Sequence, residues 1–258
     1  MLKRLATTVA AALAAFGLTV PVASAATIDY VALGDSYSSG TGAGDYLDSS
    51  CKRSSNAYPS LYAAQTSASL DFQACSGATT ADVLNNQVGA LSAGTDLVTL
   101  SVGGNDAGFS GVMQDCILGG DSGCKTAIDN AKEFVTATLP GLLEKTYGEI
   151  RSRAPQATVV VLGYPHFYQL GGSCSVGLSD TSRGYINSGA DALNSVISQQ
   201  AAAAGFTFAD VRPAFTGHEI CSGSAWLHSV TYPIDESYHP TAAGQAQGYY
   251  PSLVSALD

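Results

Sequence analysis

Ile28-Asp29-Tyr30-Val31-Ala32-Leu33, running without a break into Gly34-Asp35-Ser36-Tyr37-Ser38-Ser39-Gly40, is the stretch that decides the fold. Its first part is short, mostly apolar and rich in β-branched and aromatic side chains, the pattern of a strand buried on both faces. Its second part is small and polar with glycine at each end, so the chain turns sharply there and presents a serine with little bulk around it. Working outward, comparable apolar runs recur at Leu97–Val102 and Thr158–Leu162, with weaker ones at Leu70–Ala74 and Thr207–Asp210. Helical periodicity fills the gaps, at Tyr58–Thr66, Thr80–Leu91, Cys124–Arg153 with a break at Pro140, Thr181–Ala204 and Ala242–Leu257. Alternating short strands and helices predict a three-layer α/β/α doubly wound fold on a five-stranded parallel sheet, whose ligands bind beyond the carboxyl ends of the strands. The remaining long connections, Thr41–Asn56, Pro165–Asp180 and Thr216–Tyr238, are read as loops.

Composition agrees with one sizeable core. Of 258 residues, 46% are apolar and 12% charged, which excludes a disordered chain. Eleven Lys and Arg stand against 21 Asp and Glu, a net charge of −10 with no basic cluster, so nucleic acid is not expected as a partner. Met1–Arg4 is basic, Leu5–Val20 almost wholly apolar, and Ala23-Ser24-Ala25 has the small-x-small form of a signal-peptidase site. Residues 1–25 are therefore expected to be a secretory signal cleaved after Ala25 or Ala26, leaving residues 26–258 as a single secreted, extracellular domain without a membrane anchor. Loss of Lys3 and Arg4 would leave nine basic residues and a net charge of −12. Cys51, Cys75, Cys116, Cys124, Cys174 and Cys221 all fall in the exported part, where disulfides form. None lies in a C-x-x-C pair, and no His/Asp/Glu cluster has ligand spacing, so neither a metal nor another cofactor is expected. Sequence alone leaves the cysteine pairing open.

Residues able to carry chemistry follow three strands and precede the last helix. Ser36 sits in the first turn. Cys75-Ser76-Gly77-Ala78-Thr79-Thr80 follows the second strand, with Gly77 free to bring its N–H close to a ligand. Gly103-Gly104-Asn105-Asp106 follows the third, with Asn105 able to donate its amide to a developing negative oxygen. Taken singly, each of these is equally an ordinary turn or helix cap. A serine hydroxyl needs a base at neutral pH, and imidazole is the natural one. Of the four histidines, His239 is favoured because Asp235-Glu236-Ser237-Tyr238-His239-Pro240-Thr241 fixes it at a helix start, and His166 is the second choice. His218 and His228 are read as surface or structural.

Together these blocks resemble the SGNH (GDSL) hydrolases, matched in order by Gly34-Asp35-Ser36, Gly77, Gly103-Gly104-Asn105-Asp106 and His239-Pro240. The resemblance spans nearly the whole exported chain. It is strongest to secreted actinomycete esterases, lipases and phospholipases A1, which share Gly-Asp-Ser-Tyr-Ser-Ser-Gly, a Cys-Ser-Gly-Ala-Thr second block and six cysteines. It implies a flavodoxin-like sheet, a Ser36 nucleophile, His239 as general base and acid, and an oxyanion hole made by Ser36, Gly77 and Asn105. It also implies the pairs Cys51–Cys75, Cys116–Cys124 and Cys174–Cys221. Two positions depart from the common pattern. Tyr37 stands where leucine is common, and the acid three residues before the histidine is Glu236 rather than aspartate. His239 is then oriented either by the Ser237 backbone carbonyl, the favoured reading, or by Glu236. The implied substrates are lipid carboxylic esters taken by a monomer. A carbohydrate acetyl esterase and, from another class, a non-catalytic binding protein are the alternatives. Phe109, Val112, Met113, Phe167 and Leu170 are candidates for an acyl groove, and equally for the core.

Overall fold

Strand β1 (Asp29–Ala32) ends in the first turn, and a single turn of helix, α1 (Ser36–Ser39), follows it. The chain then forms a small antiparallel hairpin, β2 (Tyr46–Asp48) with β3 (Arg53–Ser54), inside the segment read as a loop. Helix α2 (Tyr58–Thr66), strand β4 (Ser69–Phe72), the short α3 (Thr80–Asp82), β5 (Leu97–Leu100), α4 (Phe109–Ala137), α5 (Leu139–Arg153) and β6 (Thr158–Leu162) come next. The order closes with α6 (Asp180–Ala203), β7 (Thr207–Ala209), α7 (Arg212–Phe215) and α8 (Tyr250–Leu257). This computed structural model describes residues 27–174 and 177–258; the expected signal peptide lies outside the described residues.

The main sheet runs β4-β1-β5-β6-β7, every pairing parallel. In chain order of its members this is second, first, third, fourth, fifth, the flavodoxin-like order, so the switch point lies between β1 and β5. Burial explains which strands are central. Every residue of β5 is buried, as are all but the first of β6, whereas edge strand β4 alternates exposed Ser69 and Asp71 with half-buried Leu70 and Phe72. The pleat sends Tyr30, Ala32 and Leu97 to one face, under α2 and α8, and Val31, Leu33 and Val98 to the other, under α4, α5 and α6. Disulfides join Cys51 to Cys75, Cys116 to Cys124 and Cys174 to Cys221, restricting the unfolded chain.

Three helices differ from expectation. The first begins at Phe109 rather than Cys124 and continues through a kink where Gly120 takes φ 60° and ψ −165°. Of the adjacent Gly119 and Gly120 only Gly120 is non-helical, and the Cys116–Cys124 bond spans it. Elsewhere, the expected Thr80–Leu91 helix is α for one turn only, then widens to π over Val83–Gln87. The Ala242–Leu257 helix likewise starts as π over Gly244–Tyr249. Both widened turns carry a buried glutamine, and each holds the turn that carries Ser36. Gln87 Oε1 accepts from the Gly34 N–H at 2.7 Å while its Nε2 donates to the Gly34 carbonyl at 2.9 Å. Gln245 Nε2 donates to the Tyr37 carbonyl at 3.0 Å, and its Oε1 accepts from the Tyr58 N–H at 3.0 Å. Such π turns commonly occur where a side chain must be re-aimed at a functional site.

Candidate active site

The turn that carries Ser36 is fixed from below. Gly34 has φ +115°, and a Cβ there would lie 2.4 Å from the Ser101 carbonyl oxygen, so no other residue lets β1 pass this close to the end of β5. Asp35 caps α1, its Oδ1 accepting from the Tyr37 N–H at 3.0 Å, and Ser36 becomes the first helical residue. The other Asp35 contacts are the Ser101 hydroxyl at 2.7 Å and the Tyr164 hydroxyl at 2.5 Å. Burial pushes this carboxyl up to about 6, with those hydroxyls and the amides of Tyr37 and Ser38 opposing the rise.

His239 arrives from the far end of the chain. Its segment folds back on itself through His228 N–H to the His239 carbonyl at 2.9 Å, Tyr238 N–H to the His228 carbonyl at 3.0 Å, and Thr241 N–H to the Trp226 carbonyl at 2.8 Å. Tyr37 then pins it to the Ser36 turn, its hydroxyl donating to the Tyr238 carbonyl at 2.7 Å. The outcome is a 2.7 Å contact between His239 Nε2 and Ser36 Oγ. Desolvation lowers the imidazole to about 4, against smaller upward pulls from the Ser237 carbonyl, the Asp235 charge and the Glu236 carbonyl. His239 Nδ1 is buried without a well-formed hydrogen bond among the described residues. The Glu236 carboxylate is engaged elsewhere, accepting from the Tyr46 hydroxyl at 2.7 Å and lying 3.5 Å from Lys52 Nζ.

Gly77 and Asn105 face the same space. Gly77 has φ +84° and open room on its Cβ side, and among the described residues neither its N–H nor that of Ser36 donates to a protein acceptor. Asn105 Nδ2 spends one hydrogen on the Ala78 carbonyl at 2.9 Å, which orients the amide and leaves its second hydrogen for a ligand. Asp106 accepts from the Thr80 N–H and hydroxyl, at 3.0 and 2.6 Å, tying this turn to the start of α3. Ser36, Gly77 and Asn105 thus bring three N–H donors to one cavity, a set able to receive a developing oxyanion.

The other histidines stand apart. His166 Nε2 is 2.7 Å from Asp191 Oδ1, which also takes Arg212. His228 Nε2 bonds the Gly42 carbonyl at 2.8 Å, and His218 stacks on Trp226 at 3.6 Å between centroids. The described residues contain no group of His, Cys, Asp or Glu able to hold a metal.

From Ser36 a cavity of about 640 Å³ runs between α4 and α6. Phe109, Val112, Met113 and Phe167 line it with Ile128, Val135, Ile186 and Leu193, whereas Leu170 does not. Leu170 is exposed, beyond the bridge by which Tyr168 pairs with Ile220, so it is removed from the groove candidates. Sequence reasoning missed the side chains that hold the site: it noted Tyr37 only as a departure from leucine and singled out none of Tyr164, Gln87 and Gln245.

The profile of the GDSL-like Lipase/Acylhydrolase family matches residues 32–247. An extracellular lipase from Streptomyces rimosus superposes with a TM-score of 0.87 at 56% identity, covering 89% of this chain and 100% of that one. A phospholipase A1 from Streptomyces albidoflavus gives the same score and identity over 90% of this chain and 100% of its own. Lipase 1 of Streptomyces coelicolor is 58% identical over 236 residues, 90% of this chain and 88% of the relative.

Proposed function

Because the chain belongs to the GDSL-like lipase/acylhydrolase family, we propose that it is a secreted hydrolase of lipid carboxylic esters, phospholipids among them, working through an acyl-serine intermediate. The observation that carries the lipid reading is the chamber that opens at Ser36 and continues between α4 and α6 behind an apolar lining. Its mouth is apolar too. Ile117, Leu118, Val230 and Ile234 line the opening yet remain exposed, and Tyr232 beside them is 94% exposed. An acetylated sugar needs polar partners for its hydroxyls and leaves a chamber of about 640 Å³ unfilled, so this geometry favours a fatty acyl chain over the carbohydrate alternative. Charge agrees: at net −10 for the full sequence, and −12 once Lys3 and Arg4 are removed, the protein suits neutral or zwitterionic lipid rather than an anionic surface.

In this mechanism Ser36 Oγ attacks the ester carbonyl as His239 Nε2 takes its proton. The carbonyl oxygen, now negative, receives the N–H groups of Ser36 and Gly77 and the free hydrogen of the Asn105 amide. An imidazolium in so desolvated a place is a strong acid, so it passes its proton readily to the departing alcohol. Water then attacks the acyl-serine with His239 as base, releasing the fatty acid. In this reading His239 is oriented from the side of the Ser237 carbonyl, whose upward pull on the imidazole is the largest although Nδ1 makes no well-formed hydrogen bond to it, while the Glu236 carboxylate already serves Tyr46 and Lys52. Labelling with p-nitrophenyl alkylphosphonates tests the proposal. Mass should be added at Ser36 alone, faster with longer alkyl chains. Slow labelling independent of chain length would contradict the lipid reading, and labelling absent altogether would favour a binding protein.

A further inference from the structure

Asp35 is a buried carboxylate next to the nucleophile that no step of the acyl transfer uses. It is 1% exposed, and the ionisable groups facing it are all phenols: Tyr37 on its own turn, Tyr164 after β6, Tyr58 on α2 and Tyr249 on the π turn before α8. No cation compensates it among the described residues. A charge so placed is unfavourable for stability. With its folded pKa raised above the unfolded value, Asp35 helps the fold below about pH 4 and loses that contribution as pH rises to about 6. A group retained at that cost next to the nucleophile calls for a role, and its partners indicate one.

We propose that Tyr164 is a positioning residue for the acyl-transfer site: its hydroxyl donates to Asp35, the cap of the nucleophile helix, and accepts the amide of Gly104, the residue before Asn105. The two bonds measure 2.5 and 3.2 Å and join the turn after β1 to the turn after β5 across the sheet's switch point. Without this bridge the relative placement of Ser36 and the Asn105 amide rests on Ser101 and on packing. The phenol cannot drift. Its backbone N–H and carbonyl are both held by the Asn194 side chain of α6, at 2.8 and 2.7 Å, and its ring meets Tyr37 edge-on at 5.0 Å. A Cβ on Gly104 would lie 3.4 Å from the phenol oxygen, so the oxyanion turn sits directly on it. The hydroxyl also favours the Asp35 carboxylate, the form that accepts from the helix amides.

This inference rests on Ser36 and Asn105 acting as proposed above, and its test separates the two. On a soluble short-chain ester, Tyr164→Phe should lower kcat by roughly 10- to 100-fold with KM within about twofold, since small misplacement of reacting groups costs rate rather than binding. Protonation of Asp35 should give the parent a partial step in kcat near pH 6, and losing the hydroxyl should move that step upward. Asp35→Asn should abolish the step, keep its melting temperature near the parent's at pH 8, and lose kcat to a similar degree; it serves if Tyr164→Phe does not fold. Tyr147→Phe, a buried tyrosine packed against Phe206 away from the cavity, is the control and should leave kcat unchanged. Parental kcat and pH profile in Tyr164→Phe or Asp35→Asn, with only the melting temperature lowered, would overturn the proposal. Failure of the parent itself to take a phosphonate at Ser36 would instead sink the catalytic reading on which it stands.

Discussion

The two ends of the same cavity are held by different physics. At the sheet's switch point the turns carrying Ser36, Gly77, Asn105 and His239 are cross-tied by short polar contacts, among them Ser101 to Asp35, Asp106 to Thr80 and Tyr37 to the Tyr238 carbonyl. Between α4 and α6 the chamber is walled mainly by apolar side chains, on a helix kinked at Gly120, with only a few polar ties between the two helices, such as Lys132 Nζ to Ser188 Oγ at 2.8 Å and Ser182 Oγ to Asp121 at 2.7 Å. Hydrogen bonds are directional, so the first region fixes reacting atoms to fractions of an ångström. Dispersion and apolar burial are not directional, so the second region selects a length and bulk of substrate. Chemistry and specificity should therefore respond separately to mutation.

The largest test of that separation is Asn105→Ala. Loss of one oxyanion donor should reduce kcat about 10²- to 10³-fold for every acyl length alike, with KM nearly unchanged. A length-dependent loss, read from kcat across an ester series, would mean the two regions are coupled. Next is acidity. An ordinary histidine, with a pKa of about 6.5, would leave roughly one thirtieth of kcat/KM at pH 5. With His239 lowered to about 4 by desolvation, most of the base is still neutral there, and activity should disappear only as pH falls through that value. The Asp35 step near pH 6 should take part of it but not all. A single acid limb at pH 6.5 in the pH profile would contradict the burial of the imidazole.

On the specificity side, Gly189 of α6 lines the chamber opposite Ile128 of α4, its Cβ direction meeting Ile128 Cδ1 at 3.1 Å. Gly189→Leu should press Ile128 aside into the chamber and cut kcat/KM for long-chain esters by about tenfold or more, at roughly fourfold per excluded methylene worth ~0.8 kcal/mol. Acetyl ester turnover should stay within about twofold. Equal losses on both would place Gly189 outside the acyl path. Smallest of all, Glu236→Gln should change kcat by less than about fivefold, because its carboxylate faces Tyr46 and Lys52 rather than His239. A loss near the ~10⁴-fold of a triad acid would assign the orienting role to Glu236 instead.

The same division governs what the sequence discloses. The parallel sheet was legible because its central strands β1, β5 and β6 are short apolar runs that run into small residues, and Thr158–Leu162 matches β6 to the residue, whereas edge strands β4 and β7 gave only the weaker runs. Ser36, Gly77, Asn105 and His239 were legible as candidates because their residue types recur at strand ends and at a helix start, and the fold brings them together. Tyr37, Tyr164, Gln87 and Gln245 were not. A tyrosine at a strand end carries no mark distinguishing a packed ring from one whose hydroxyl bridges two turns, and that role appears only when residues 35, 104 and 164 meet. The first part of α4 was hidden for a local reason, since the glycine pair at 119–120 weakens the helical pattern although only Gly120 leaves helical geometry. Leu170 was misassigned because hydrophobicity alone does not say which side of a loop faces the cavity.

The most direct measurement is hydrolysis of p-nitrophenyl esters of increasing length, and of phosphatidylcholine, by residues 26–258 and by its Ser36→Ala variant, with fatty acid and lysolipid identified. The account predicts Ser36-dependent release of fatty acid from phosphatidylcholine and rising kcat/KM as the acyl chain fills the chamber. Cleavage confined to acetyl esters, or turnover unaffected by Ser36→Ala, would contradict it.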